Sequence, residues 1–291
     1  MSFPSLKIIG ERINPGFRST REMFERRDIP ALVKLASEQV ARGASYLNVN
    51  VGDLAESEPA FLDALVQAIQ DSVRVPLSFD YPSVAVQRRC LGLYRYDVAG
   101  GKPFVNSISE LRWEMCEVLK EHPCRVILMA SERNVGGEKI ANRTADEVYD
   151  TALRMTRRLL SENPAMTIDD LYVDVSVGPV AADTEGLARM ALESIRRIGA
   201  SPELKGVHMS VGLTNLSIML PAKTPAGLPL KELLESAFLT HAVPDGLDSL
   251  LGTAGRNYQM LPADNPVLQG FNEFLALSDI EAVMRIQQLY Q

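Results

Sequence analysis

The stretch Tyr46-Leu47-Asn48-Val49-Asn50-Val51-Gly52 is a short run of apolar and β-branched residues that stops at a glycine, so it reads as a strand over Tyr46–Val51. Runs of the same kind recur along the chain. Leu6–Ile13 lies upstream, and Val75–Phe79, Phe104–Ser107, Arg125–Ala130, Leu171–Val177, Val207–Leu213 and Leu247–Leu251 lie downstream. Between them stand segments of helical period: Ile29–Arg42, Pro59–Val73, Ser83–Leu93, Ser109–Lys120 with Trp113, Thr144–Ser161, Thr184–Ile198 and Leu230–Ala242, with Asp279–Leu289 closing the series. Thr144 followed three residues later by Glu147 has the pattern of a capping box. Gly136-Gly137 marks a loop. Strand followed by helix, eight times over, predicts parallel strands with right-handed crossovers. Eight such units in 291 residues suit a closed (β/α)₈ barrel better than an open doubly wound sheet. No glycine-rich phosphate fingerprint follows the first strand, which argues further against a Rossmann fold. Without a linker or a shift in composition, residues 1–291 are expected to form a single domain.

Composition narrows the function. Hydrophobic residues make up 46% of the chain and charged residues 23%, enough for a sizeable core. With 30 Lys and Arg against 37 Asp and Glu, the net charge is −7 and no basic run stands out, so a nucleic-acid partner is not expected. The pairs Arg26-Arg27, Arg88-Arg89, Arg157-Arg158 and Arg196-Arg197 read as solvated surface. Met1–Ile9 lacks a signal pattern and no long apolar run occurs, so the expectation is a soluble, cytoplasmic protein with no membrane partner. Cys90, Cys116 and Cys124 have no CxxC spacing, and with three histidines no metal cluster is legible. Cys90 and Cys116 fall in helical patterns and read as buried thiols.

The strand ends carry the chemistry. The first strand runs Ile8-Ile9-Gly10-Glu11-Arg12-Ile13-Asn14; the third gives Leu77-Ser78-Phe79-Asp80, and the fourth Phe104-Val105-Asn106-Ser107. The sixth gives Tyr172-Val173-Asp174-Val175-Ser176, and the seventh Gly212-Leu213-Thr214-Asn215-Leu216-Ser217. With the second strand, six ends place Asp or Asn where barrel strands converge on one mouth. A single Asn or Asp there is ordinary turn or cap chemistry. Capping alone would use Ser, Thr and Gly as freely, and would not set carboxamides inside strands. Carboxylates and carboxamides suit a flat heterocycle with an amino-amidine edge and ring N–H groups, since a carboxylate accepts two parallel N–H bonds and an Asn both donates and accepts. Phosphate handling would call for Lys, Arg or glycine-rich backbone, and metal-assisted hydrolysis for His. The first are scarce at these ends and the second is absent.

Taken in order, these motifs resemble the pterin-binding barrel methyltransferases, in particular the methyltetrahydrofolate:corrinoid protein methyltransferases and the folate-binding module of cobalamin-dependent methionine synthase. The matching stretches are Gly10–Asn14, Asn48–Gly52, Asp80, Asn106-Ser107, Tyr172–Asp174, Gly212–Ser217 and Gly246-Leu247-Asp248. The resemblance implies that Asp80, Asn106 and Asp174 bind the pterin ring, with Asp174 on its amino-amidine edge. It implies that Asn215 is the catalytic residue, hydrogen-bonding near N5, the atom that carries the methyl group. A tertiary amine leaves poorly, and a carboxamide can strengthen its bond as charge changes in the transition state. Glu11, Asn14, Asn50, Gly212 and Asp248 are carried over as further pterin or folate contacts. The implied reaction moves a methyl group between methyltetrahydrofolate and the cobalt of a corrinoid (cobalamin), in either direction. The chain has no Asp-x-His corrinoid ligand motif, so the corrinoid is expected free or on another protein. Barrels of this kind commonly pair, so a homodimer is expected as well.

The chain departs from this pattern where Asn48 stands in place of an aspartate common in relatives, and in the apolar Ile218-Met219-Leu220-Pro221 that follows Ser217. Two other readings stay open. A dihydropteroate synthase-like enzyme, forming a C–N bond, would want basic residues in the seventh-strand loop and late in the chain to hold diphosphate. A non-catalytic barrel could simply hold folate.

Overall fold

Alternate residues of each strand face opposite sides of a sheet, and a sheet buried on both faces needs apolar groups on both. The computed structural model, which describes residues 2–291, shows how the runs meet that requirement. Its strands are β1 (Lys7–Ile13), β2 (Tyr46–Val49), β3 (Leu77–Asp80), β4 (Phe104–Ile108), β5 (Arg125–Met129), β6 (Glu132–Val135), β7 (Glu138–Ala141), β8 (Leu171–Asp174), β9 (His208–Ser210) and β10 (Ser249–Gly252). Eight of them pair in parallel in the order β10-β1-β2-β3-β4-β5-β8-β9. The ring is completed by a bridge between Gly212 and Leu251 and by the bond from Leu251 N to Val211 O at 2.9 Å. With helices following the strands, the architecture is the expected (β/α)₈ barrel.

Two apolar layers hold it. Ile9, Tyr46, Phe104, Ile127 and Tyr172, with Leu251 against them, form a cluster of their own inside the barrel. Phe104 meets Tyr46 and Tyr172 edge to face, with ring centroids 5.0 and 4.7 Å away. Such pairs add roughly 0.5–1.5 kcal/mol each beyond their burial. Outside, the helices Ile29–Ala41, Pro59–Ser72, Ala145–Glu162, Leu187–Gly199 and Leu230–Ala242 cover the sheet with residues such as Leu62, Ile69, Leu159, Ile195 and Phe238. The three cysteines are buried in that outer layer, and burial pushes the Cys116 and Cys124 thiols up to about 12. The four arginine pairs lie at the surface, each guanidinium in an ion pair such as Arg88–Glu121 or Arg196–Asp245.

β2 and β8 stop earlier at the mouth than their apolar runs suggest, because polar side chains turn the backbone there. Asn50 Oδ1 accepts from Gly52 N at 2.8 Å, and Asp174 Oδ1 from Ser176 N at 2.6 Å. Each is an Asx-type turn that ends the ladder. After β9 the chain enters a 3₁₀ turn, Leu213–Asn215. The expected helix Ser109–Lys120 breaks into a 3₁₀ segment, Glu110–Met115, and an α-helix, Cys116–Glu121; Arg112 is non-helical at the kink, and its guanidinium reaches the Ser107 hydroxyl. Thr144 caps its helix through Glu147 N, whereas the Glu147 carboxylate bonds Arg143 N, one residue before the position a capping box would use. The Gly136-Gly137 loop is the two-residue turn of an antiparallel hairpin, β6–β7, with both glycines at positive φ. Two helices of eight residues or more, Arg18–Glu25 and Pro266–Ala276, and two of a single turn, Leu54–Ser57 and Tyr96–Ala99, lie where the sequence reading left no element.

Candidate active site

Since β2, β3 and β4 are in register at their ends, with Asn48 opposite Ser78 and Asp80 opposite Asn106, one polar layer sits directly above the apolar plug. Asn48 is its hub. It is fully buried, donates from Nδ2 to Asp80 Oδ2 at 3.1 Å, and accepts at Oδ1 from Ser78 Oγ at 3.0 Å and Asn106 Nδ2 at 3.3 Å. Asn50 Nδ2 gives Asp80 Oδ2 a second bond, also 3.1 Å. Asp80 and Asn106 are therefore oriented by their neighbours while staying half-exposed to the mouth.

Across the barrel, Asp174 ends β8 opposite Met129 and Ser210. Its carboxylate has the one bond from Ser176 N and, among the described residues, no cationic partner; burial pushes its carboxyl up to about 6. Ser176 reaches that bond with a φ of 60°, a left-handed conformation held by its surroundings.

A cavity of about 450 Å³ opens beside this layer, lined on one side by Glu11, Asn14 and Asn48, and on the other by Gly212, Thr214, Asn215 and Ser217. Asn215 is exposed, and its carboxamide has no hydrogen bond among the described residues. A Cβ on Gly212 would stand 2.9 Å from Asn215 Nδ2, so the glycine leaves room for that amide. Glu11 is buried and accepts from the Thr214 hydroxyl at 2.6 Å and the Thr253 hydroxyl at 2.5 Å. Asn14 shapes the wall by accepting from Gly16 N at 2.8 Å. A second cavity, of about 660 Å³, holds Asn50 and Asp80 together with Asp53 and Glu56.

Of the residues singled out from the sequence, Glu11, Asn14, Asn50, Asp80, Asn106, Asp174, Gly212 and Asn215 are brought to this mouth. Asp248 is not. It precedes β10, and its carboxylate bonds His208 Nδ1 at 2.5 Å and Met209 N at 3.2 Å, at the opposite end of the barrel. Lying just before the start of the last strand, Asp248 cannot reach the mouth at that strand's other end, which removes it from the candidate site. Sequence reasoning missed Arg12, Lys231, Thr253 and Arg256, all of which line the same cavity as Asn215. It quoted Asn48 in the second strand and as a departure from relatives, but did not count it among the site residues. The inward alternation of Tyr46, Asn48 and Asn50 was the signal that places it in the site.

Among the described residues no group of three or more His, Cys, Asp or Glu could hold a metal ion, and no helix is long and apolar enough to cross a membrane. Residues 10–251 match the family of pterin binding enzymes, and the chain belongs to that family. Among curated proteins it is 24% identical over 249 residues to the methylcorrinoid:tetrahydrofolate methyltransferase of Eubacterium limosum, covering 83% of each chain. It is 26% identical over 265 residues to the methionine synthase of Mycobacterium tuberculosis, covering 87% of this chain and 21% of that much longer one. Among solved structures, dihydropteroate synthase from Thermus thermophilus superposes with a TM-score of 0.58 at 21% identity, over 87% of this chain and 90% of that one. The enzyme from Coxiella burnetii gives 0.57 at 14%, over 94% and 95%. At these identities the structural likeness speaks for the fold alone.

Proposed function

We propose that this chain is a methyltransferase acting between N5 of methyltetrahydrofolate and the cobalt of a corrinoid, free or carried by another protein. The observation that carries the reading is the unbonded carboxamide of Asn215, which lines the same cavity as Asn48, the hub to which Asp80 and Asn106 are hydrogen-bonded. Asp80, Asn106 and Asp174 bind and orient the pterin ring, with the Asp174 carboxylate accepting from its amino-amidine edge. Asn215 then lies toward N5, where a hydrogen bond that strengthens as the methyl departs or arrives lowers the barrier. Glu11, Asn14, Asn50 and Gly212 shape the walls. When bound, the corrinoid supplies the reduced cobalt or the cobalt-held methyl that the protein lacks. This suits a mouth without a Ser/His or Cys/His pair, the cysteines being sealed in the outer layer. The reading brings with it a homodimer in the cytoplasm and no nucleic-acid partner.

The dihydropteroate synthase-like reading has one observation in its favour: Lys231 and Arg256 reach the cavity where diphosphate would need cations. Against it, the Arg256 guanidinium is already paired with the buried carboxylate of Glu235.

The test mixes the protein with methyltetrahydrofolate and cob(I)alamin and follows methylcobalamin by absorbance, with methylcobalamin and tetrahydrofolate as the reverse pair. Turnover that drops about 100-fold in Asn215→Ala is the expected result. Folate binding without turnover in either direction would instead mark a carrier barrel. Diphosphate release from a pterin diphosphate and 4-aminobenzoate would favour the second reading.

A further inference from the structure

Glu235 is wholly buried on the helix Leu230–Ala242, outside the polar layer that faces the pterin. Its Oε1 accepts from the Ser217 hydroxyl and from the Arg256 guanidinium. Its Oε2 meets no donor in good hydrogen-bond geometry among the described residues, with the Tyr258 hydroxyl close by, and burial pushes its pKa upward. Taking a carboxylate out of water is costly, and an apolar residue of that size would serve helix packing at least as well. Its presence there calls for a role beyond packing.

That role follows from what it joins. Ser217 lies two residues beyond Asn215, in the loop after β9, and Arg256 lies in the loop after β10. Glu11 joins the same two loops from inside the barrel through Thr214 and Thr253. Asn215 thus stands between two hydroxyl residues, 214 and 217, each tied to a buried carboxylate that also grips the neighbouring loop. Below them, among the described residues, the chain just past β9 meets β10 through one bridge, Gly212 with Leu251, and its bond from Leu251 N to Val211 O, fewer backbone links than the other neighbouring strands make, so the sheet fixes their relative height less than elsewhere. We infer that Glu235 is a positioning residue, which with Arg256 and Ser217 locks the β9 loop against the β10 loop and so holds the otherwise unrestrained Asn215 carboxamide at a fixed place in the cavity. The inference rests on Asn215 acting at N5.

The experiment compares wild type, Glu235→Gln, Ser217→Ala and each of these combined with Asn215→Ala, measuring kcat for methyl transfer and, separately, folate Kd by calorimetry. Glu235→Gln keeps the side-chain shape and removes the charge. Ser217→Ala leaves the Glu235–Arg256 pair whole and serves if the first variant does not fold. A positioning role predicts a kcat lowered about tenfold in Glu235→Gln and about threefold in Ser217→Ala, with Kd within about twofold of wild type, because the ring is held across the mouth. In the Asn215→Ala background neither change should lower kcat further, the mark of coupled residues. Unchanged kcat in a folded single variant, or losses that multiply independently with Asn215→Ala, would overturn the inference and leave the methyltransferase reading in place. A wild type that binds folate yet transfers no methyl in either direction would remove that reading first, and this inference with it.

Discussion

Asn48 donates to the Asp80 carboxylate across the β2–β3 ladder, 3.1 Å from Nδ2 to Oδ2. A carboxylate at position 48 would replace that donor with a second acceptor and set two like charges within one site, where one of the pair retains a proton to higher pH. In Asn48→Asp, folate Kd is expected to rise about tenfold relative to wild type at pH 8, with the ratio narrowing toward pH 5 as the shared proton restores a donor. Calorimetric titration at both values checks it. A ratio that does not change with pH would mean the two side chains do not communicate.

Asp174 sets a second pH dependence. Its carboxyl is pushed up to about 6 by burial, and only the ionised form accepts both N–H groups of an amino-amidine edge. Folate affinity should therefore be level above pH 6 and weaken about tenfold for each further unit of acid. The stability effect has the opposite sign. The folded carboxyl holds its proton more tightly than the unfolded one, so folding is favoured at low pH and this contribution is lost as pH rises from about 4 to about 6. Asp174→Asn should flatten the binding profile and bind folate weakly throughout. A variant that keeps the wild-type pH profile would assign the titration elsewhere.

At the other end of the barrel, His208 stacks on Tyr172 with centroids 4.5 Å apart and lies between Asp248 and Asp169. Its pKa is raised, first by the hydrogen bond to Asp248 and then, against burial, by the charges of both aspartates. The resulting stability is fully present below about pH 6.5, the unfolded histidine value, and is lost as pH rises through the higher folded value. Asp248→Asn is predicted to lower stability by about 1–2 kcal/mol at pH 6 and by much less at pH 9, as read from thermal melts. Methyl transfer should be untouched. A loss of folate affinity in this variant would return Asp248 to the site.

The cavity beside Asn215 carries Arg12, Lys231 and Arg256, and among the described residues only Arg256 of the three is paired with a carboxylate. An anionic folate tail is the natural complement of the other two. Lys231→Glu should weaken binding of methyltetrahydrofolate about three- to tenfold at low salt and less at 0.5 M NaCl, where screening is stronger (a Debye length of roughly 4 Å). Binding of a tetrahydropterin without the tail should not change. Equal weakening for both ligands would place Lys231 against the ring instead.

What the sequence made legible was whatever local alternation encodes. Tyr46, Asn48 and Asn50 face one way at every second position, and the same beat at Ser78 and Asp80, and at Phe104 and Asn106, announces a barrel with a polar mouth. Contacts made across long stretches of chain left no such trace. Thr214 and Thr253 meet Glu11 across 203 and 242 residues, and Arg256 meets Glu235 from a segment with no periodicity of its own. Asp248 was misplaced because it came from the resemblance of Gly246-Leu247-Asp248 alone, whereas the strand reading Leu247–Leu251 already set it at the strand's start, the end away from the mouth. The β6–β7 hairpin had its signal in Gly136-Gly137, but the polar flanks Glu132–Val135 and Glu138–Ala141 lack the apolar alternation that marks a strand.

The pairing of β1 with β10 joins Lys7–Gly10 to Ser249–Gly252, stretches that are synthesised about 240 residues apart. On the ribosome, β1 must wait with one edge bare until residue 252 has emerged, and bare strand edges invite pairing with other chains. The nascent barrel therefore keeps an edge open to misassociation until residue 252 has emerged, and the helix Pro266–Ala276 that follows β10 arrives only once that edge can be filled.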